Sequence, residues 1–435
     1  MKDALEAALG APVARAVLLP GGASKEAWAV DTEDGRELLV RRAAGGVIHE
    51  RTLSLEHEFE VLGAAHEAGV RVPEPIAYLG QIEGREAFVM ERVRGETIGR
   101  RIVKSAPARL ATEMAEELAR IHAIPRERLP FLRDTDPFDV FYDELDSIEE
   151  PHPAIELGLR WARERIPLER PRLVGHGDFR LGNLAVDESG LVAVLDWEFA
   201  HVCDPAEDVA WPLVRAWRFG RDDLRLGGIS QVEPYLEHYA ELTGREIPLE
   251  ELYAWEVLGN CKWAIGALRQ GRRHLRGEDR SVEFAILGRL AAEMEYEVLD
   301  LIRRAPSRSR AASAPTGRSP APRPPLGSAT ESDRPNAREL VAAVREFLEQ
   351  EILPTLDDHR LRFRTLVAMN ALSIVERESP EPGPPDDEDR ELARRLRAGD
   401  VREQDLVTIS YKVRERLRIA SPAYLDRYDE DDEGK

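Results

Sequence analysis

From Ala305 to Pro335 the chain reads APSRSRAASAPTGRSPAPRPPLGSATESDRP, where Ser, Pro, Ala and Arg displace any apolar periodicity. Such a stretch cannot bury a core and is expected to act as a flexible, locally basic linker. It divides the 435 residues into a long N-terminal part of mixed α and β signals and a shorter C-terminal part that reads as helices. No one core can run through it, so two or three domains are expected, and 43% hydrophobic residues are enough to fill them.

The order of patterns in the first part is restrictive. AWAVDTEDGRELLVRRA alternates like two strands joined at Asp34-Gly35. Leu55, Phe59, Leu62 and Ala65 then recur at helical spacing, with Gly69 as a stop signal. IAYLGQIEGREAFVMERVRG again reads as paired strands. From Thr97 onward the pattern turns helical, interrupted by the loop-and-hairpin segment RLVGHGDFRLGNLAVDESGLVAVLDWE. The expected fold class is α+β: a bilobal, protein-kinase-like fold with a small mainly β lobe over residues 1–95 and a large mainly α lobe over 96–304. The linker spans 305–335, and a separate helical accessory domain spans 336–435.

The loop-and-hairpin segment carries the chemistry. His176-Gly177-Asp178-Phe179-Arg180-Leu181-Gly182-Asn183 is followed, one hairpin later, by Leu195-Asp196-Trp197-Glu198. Phosphoryl transfer needs a carboxylate at the acceptor hydroxyl and oxygen ligands for the metal that bridges the nucleotide phosphates. Asp178 and Asn183 have the Asp-x-x-x-x-Asn spacing of a kinase catalytic loop, and Asp196 stands where a kinase places its main Mg²⁺ ligand. A lone aspartate in a turn usually only caps backbone amides. It is the order and spacing of the two motifs together that favour catalysis.

HGDFRLGN with LDWE resembles the signature of the aminoglycoside phosphotransferase and choline kinase superfamily, over about residues 10 to 300. The resemblance implies an enzyme that uses ATP and Mg²⁺ to phosphorylate an alcohol group. It implies Asp178 as catalytic base, His176 as a brace of the loop, Asn183 and Asp196 as metal ligands, and Glu198 as a direct or water-mediated helper. Gly21 and Gly22 would form the loop over the phosphates. Arg41 would take the place of the usual phosphate-pairing lysine, with Glu58 on the next helix as its partner, since an arginine can fork to phosphate or carboxylate. Glu91 and Val93 would lie in the hinge between lobes, where backbone groups read the adenine edge. The segment His201 to Asp208 resembles the family's Gly-Asp-Pro-x-x-Asp, with Cys203 where Gly is usual. Asp204 and Asp208 there are read as structural, Asp204 before Pro205 as a helix N-cap.

Two aromatic and basic segments are candidates for the acceptor side: Trp211 to Gly220, with Trp217 and Arg218, and Trp255 to Arg276, with Arg272 and Arg273. Tryptophans at helical spacing, such as Trp255 and Trp263, are more often core than pocket. The basic run at Arg272 reads either as a solvated helix end or as a seat for an anionic substrate. LDWEFAH, Trp-Arg-Phe-Gly and the Trp-rich late helix resemble the kinase domain associated with acyl-CoA dehydrogenases, which implies a hydroxyacyl-CoA acceptor. An aminoglycoside or aminoalcohol kinase and a nucleotide-binding pseudokinase scaffold are the alternatives.

After the linker, three amphipathic segments resemble an uncharacterised helical domain found beside such kinases, and a role in protein association is expected. The net charge of −21 argues against nucleic acid as a partner. The N-terminal segment is too charged for a secretory leader, and no apolar run approaches the ~18 residues that would span a bilayer. Cys203 and Cys261 are too few for a disulfide framework. Cytoplasmic residence and a small-molecule substrate, with no membrane partner, are the expectation.

Overall fold

The computed structural model describes residues 2–19, 25–44, 51–167, 169–278, 282–305, 337–378 and 387–433. Helix α1 (Lys2–Leu9) precedes β1 (Val13–Leu18), β2 (Lys25–Thr32) and β3 (Glu37–Ala43), and α2 (Leu55–Glu67) leads to β4 (Pro75–Ile82) and β5 (Arg85–Glu91). Next come α3 (Gly99–Ile102), α4 (Leu110–His122), α5 (Pro137–Asp146) and α6 (Pro153–Arg163). Four short strands follow: β6 (Leu173–Gly175), β7 (Leu184–Asp187), β8 (Gly190–Val194) and β9 (His201–Cys203). Helices α7 (Pro205–Ala210), α8 (Glu233–Thr243), α9 (Leu249–Leu275) and α10 (Val282–Arg304) come next. The last five are α11 (Ala337–Phe347), α12 (His359–Arg377), α13 (Asp387–Ala398), α14 (Glu403–Ala420) and α15 (Pro422–Glu433). Contacts divide the chain into two compact units, Met1–Val140 with Arg165–Gly259, and Phe141–Glu164 with Asn260–Lys435.

In the first unit an antiparallel sheet of order β1-β2-β3-β5-β4 forms the small lobe. The hairpin expected at Asp34-Gly35 is present, with Gly35 at φ 89° and β2 paired to β3 from Lys25↔Ala43 to Asp31↔Glu37. Val13, Val30, Leu38, Val40, Ala87 and Val89 make one sheet face apolar, and Leu5 of α1 closes it. Burying such side chains yields roughly 1.5–3 kcal/mol each. Helix α2 packs against β4 and β5. It begins at Ser54, whose Oγ accepts the His57 N–H at 3.2 Å, and ends before Gly69, at φ 78°.

The chain leaves the sheet at Gly95, whose φ of 156° and close approach to β7 both require glycine: a Cβ there would lie 3.1 Å from Val186 N. Beyond it, Glu96 N–H donates to Val186 O at 2.8 Å and Val186 N–H returns the bond to Glu96 O at 3.0 Å. Strands β7 and β8 form the expected hairpin, while β9 pairs with β6, a pairing the sequence pattern did not indicate.

The second unit is helical. Its core joins Leu157 of α6 and Tyr296 and Leu299 of α10 to Leu396 of α13 and Leu417 of α14. Arg397 forks onto Glu156 at 2.7–3.1 Å and also meets Asp146. Glu295, fully buried, takes His152 Nδ1 at 3.0 Å and is paired with Arg416. The C-terminal region is helical as expected, but the expected boundary at 304 does not match the contacts, because the apolar faces of α6 and α10 are covered by α13 and α14. Nearly all of the expected linker, like Gly21 and Gly22, lies outside the described residues. Among those residues no helix is long and apolar enough to cross a membrane.

Candidate active site

Strand β6 delivers the loop from His176 to Asn183, and the loop is held from behind by one buried carboxylate. Asp208 on α7 accepts the backbone N–H groups of His176 at 2.6 Å and Gly177 at 2.9 Å. Burial works against its charge, but the hydrogen bond and charge of His122, aided by His176 and His201, hold the carboxyl well below the usual range. His122 Nε2 lies 3.4 Å from Asp208 Oδ2, and its Nδ1 lies 2.8 Å from the Tyr239 hydroxyl. Gly177 sits at φ 78°, where a Cβ would fall 2.2 Å from Phe199 O, so only glycine fits. Asp204 caps α7 by accepting the Ala206 N–H at 2.8 Å. Both aspartates therefore do structural work.

His176 joins the loop to the hairpin. Its Nδ1 accepts the Asp178 N–H at 3.2 Å, which leaves Nε2–H to donate to Leu195 O at 3.0 Å. Burial pushes the ring's pKa down, in keeping with this neutral tautomer. Asn183 completes the link, since its C=O accepts the Leu195 N–H at 2.8 Å, one residue before Asp196. The residues expected to hold metal are thus adjacent.

Three donors fix the Asp178 carboxylate: Asn183 Nδ2 to Oδ2 at 2.7 Å, Trp211 Nε1 to Oδ1 at 2.7 Å, and Arg180 Nε to Oδ1 at 3.0 Å. The guanidinium of Arg180 also stacks over Trp217, 4.4 Å from the ring centroid, and Trp217 packs edge-on against Trp211. A carboxylate with both oxygens anchored in this way presents its remaining lone pairs in one direction, as an orienting base requires.

Beside it lies a network of five charges. Arg41 spans Glu58 at 3.2 Å, the partner expected for it, and Asp196 at 2.9 Å. Lys25, at the start of β2 and almost fully buried, pairs with Glu58 at 2.5 Å and with Glu198 at 2.9 Å. Three carboxylates face two cations. Glu198 shows the strain of that excess, its pKa raised by burial and then by Asp196, whereas Asp196 stays ionised because Arg41 and Lys25 outweigh its burial. Asp196 adopts φ 65°, ψ 66°. In this left-handed conformation a non-glycine residue costs roughly 1–2 kcal/mol, a cost that clusters at working sites.

A profile of the APH phosphotransferase enzyme family matches residues 15–248, more than half of the chain. The chain belongs to this family. Its fold is shared with a Ralstonia eutropha protein crystallised as a candidate aminoglycoside phosphotransferase, at TM-score 0.59 and 21% identity, over 71% of this chain and 99% of that one. A second likeness, to a phosphotransferase of the APH(2″) type solved with GDP and kanamycin, has TM-score 0.51 and 15% identity over 68% and 98% of the two chains. Among curated relatives, acyl-CoA dehydrogenase family member 10 of Mus musculus is 25% identical over 60% of this chain and 26% of its own length. Family member 11 of Homo sapiens is 24% identical over 73% and 42%. The phosphotransferase thus spans well under half the length of these relatives.

Several expected site residues stand elsewhere. Arg218 is buried and bonded to Leu213 O and to Glu256 at 2.8 Å, so it supports the fold rather than facing an acceptor. Trp255 is core, as helical spacing favoured, while Trp263 is only half-buried. Arg272 meets Ile148 O and Glu150, and Arg273 meets Gln270, Glu278 and the ring of Phe284, all within the second unit, so the run is not a set of unpaired cations. In the segment expected as the hinge, the Glu91 N–H is taken by Glu74 O at 2.9 Å, and Val93 follows the end of β5.

Sequence reasoning missed Lys25 as a site residue. Its signal was a lone cation opening an otherwise mostly apolar strand. Trp211 lay in a flagged segment, but nothing in the sequence singled out its indole N–H.

Proposed function

We propose that this phosphotransferase transfers the γ-phosphoryl group of ATP to the hydroxyl of a small metabolite, with Mg²⁺ as cofactor. The observation that carries the reading is the Asp178 carboxylate, oriented by Asn183, Trp211 and Arg180 next to Asp196. Its free lone pairs accept the proton of the acceptor hydroxyl and aim that oxygen for in-line attack. The donor set fits a hard divalent cation: Asp196 is ionised, the Nδ2 of Asn183 is spent on Asp178 so that its amide oxygen is the atom to offer, and the charge network has one carboxylate in excess. Bound there, Mg²⁺ would neutralise phosphate charge. Arg41 and Lys25 hold Glu58, Asp196 and Glu198 in place for that role and can turn toward phosphate oxygens.

The acceptor class we propose is a hydroxyacyl-CoA. Its support is the likeness to acyl-CoA dehydrogenase family members 10 and 11 over most of the chain. The test is phosphoryl transfer from labelled ATP by the purified full chain with Mg²⁺, against 3-hydroxyacyl-CoA thioesters of several lengths and against kanamycin. Label should enter the thioester. Preferential labelling of kanamycin would overturn the acceptor class, and ATP binding without transfer to any hydroxyl would overturn catalysis itself.

A further inference from the structure

A second cluster stands behind the catalytic loop, where the family segment has Gly and this chain has Cys203. One ligand atom each of His201, Cys203 and Glu207 lies within 4.8 Å of the other two. His201 and Cys203 point from β9 and Glu207 from the first turn of α7. His201 Nε2 is 3.4 Å from Glu207 Oε1, with the two side chains 24% and 13% exposed, while Cys203 is buried.

The tautomer of His201 gives this geometry its meaning. Nδ1 lies 2.9 Å from Phe199 O, a carbonyl that can only accept, so Nδ1 carries a proton. Nε2 then faces a carboxylate oxygen at a distance that calls for either a proton on Nε2 or a cation between the two atoms. Metal-binding histidines show this pattern, one ring nitrogen donating to a backbone carbonyl and the other turned to the ion. Zinc bonds of about 2.0–2.3 Å set tetrahedral ligand atoms about 3.3–3.8 Å apart. The His201–Glu207 pair already meets that spacing, and no separation within the set has to close by more than about 1 Å. Space for the thiol is also provided. A Cβ on Gly175, one residue before His176, would fall 2.2 Å from Cys203 Sγ, so the sulfur occupies room that only a glycine leaves.

We propose that His201, Cys203 and Glu207 bind one thiophilic divalent cation of the zinc class, with a fourth position open to water on the exposed side of His201. Cys203 loses its proton on binding, and the thiolate and carboxylate then carry two negative charges that match the ion. Strand β9 pairs with β6, and β6 runs into the catalytic loop, so the ion would clamp the base of that loop. It takes no part in phosphoryl transfer, and the inference stands apart from the acceptor proposed above. The competing account is an ion pair of protonated His201 with Glu207 beside a neutral thiol.

The full chain is stripped with chelator, kept in excess Mg²⁺ so that the oxygen donors near Asp196 are occupied, and titrated with Zn²⁺ against a chromogenic competitor and with Co²⁺ by absorption. One equivalent should bind, Co²⁺ should give a thiolate charge-transfer band, and Zn²⁺ should raise the melting temperature. Cys203→Ser and Glu207→Gln should each weaken binding by at least about tenfold, with the band lost in Cys203→Ser. Cys261→Ser should retain it, since that thiol is buried in the other unit. Glu207→Gln, at a partly exposed position, keeps the test informative if Cys203→Ser fails to fold. Absence of a one-equivalent thiolate complex in the parent, or its persistence in both variants, would overturn the site and leave the ion pair.

Discussion

The two units each bury a set of charges, and the sets are built differently. In the first, Lys25 and Arg41 face Glu58, Asp196 and Glu198, so negative charge is left over around a residue held in a left-handed backbone. In the second, the buried carboxylates Glu156, Glu295 and Asp405 are each paired with a guanidinium, of Arg397, Arg416 and Arg395 respectively. A matched pair is a device for joining elements, since breaking it strands a charge. An unmatched set is costly unless something else arrives to complete it, and under the proposed function a metal with a nucleotide would do so.

Substitutions can break this contrast in graded steps. The largest effect is expected from Asp178→Asn, which should lower turnover by about 10²–10⁴-fold while nucleotide binding persists. Steady-state rates equal to the parent would remove Asp178 from the chemistry. Next, Asp196→Asn tolerates the left-handed backbone but removes the excess charge. Mg²⁺·nucleotide affinity should fall at least about tenfold with little loss of thermal stability. Calorimetry finding unchanged affinity, or a large drop in melting temperature, would make the first network a scaffold like the second.

Arg397→Ala should do the reverse. It leaves Glu156 buried without its fork and should cost about 2–3 kcal/mol, below the ~3–5 for a fully buried pair because Arg397 is one-third exposed. Denaturant midpoints measure this loss. Nucleotide affinity in the folded variant should not change.

A pH effect should follow from His176. Its folded pKa is depressed, so the unfolded chain takes up the proton more readily. The contribution is complete above the unfolded value of about 6.5 and declines as pH falls toward the folded one. Asp208, also depressed, adds its loss only below about 4. Melting temperature should drop between pH 6.5 and 5, with a smaller drop in His176→Gln, and an equal drop in both proteins would place the proton elsewhere. The smallest effect is expected from Arg272→Glu with Arg273→Glu. Because both arginines are already paired, acceptor KM should stay within about twofold, as for substitutions worth under ~0.5 kcal/mol. A salt-sensitive rise in KM would restore them to the substrate.

Legibility in the sequence followed the range of the interactions. Hairpins, α2 and the loop that carries the Asp-x-x-x-x-Asn spacing were readable because turn glycines, alternation and that spacing are local patterns. The Arg41–Glu58 pair was reached through strand register and helix position. Lys25 was missed because its partners lie 33 and 173 positions away, and a lone lysine has no pattern of its own. Arg218 was misplaced for the related reason that basic and aromatic composition says nothing of burial. The boundary at 304 failed because amphipathic helices announce that they need a partner and not which one: α13 and α14 found theirs in α6 and α10.

That shared core sets an order of events during synthesis. Leu157 and Leu299 meet Leu396 and Leu417 across more than two hundred and about one hundred positions respectively. While a ribosome extends the chain, α6 and α10 emerge long before α13 and α14, and the parts of their apolar faces that they do not cover for each other stay exposed until then. High contact order of this kind slows closure and lengthens the interval in which nascent chains can associate. The first unit, complete by Gly259, has no such wait.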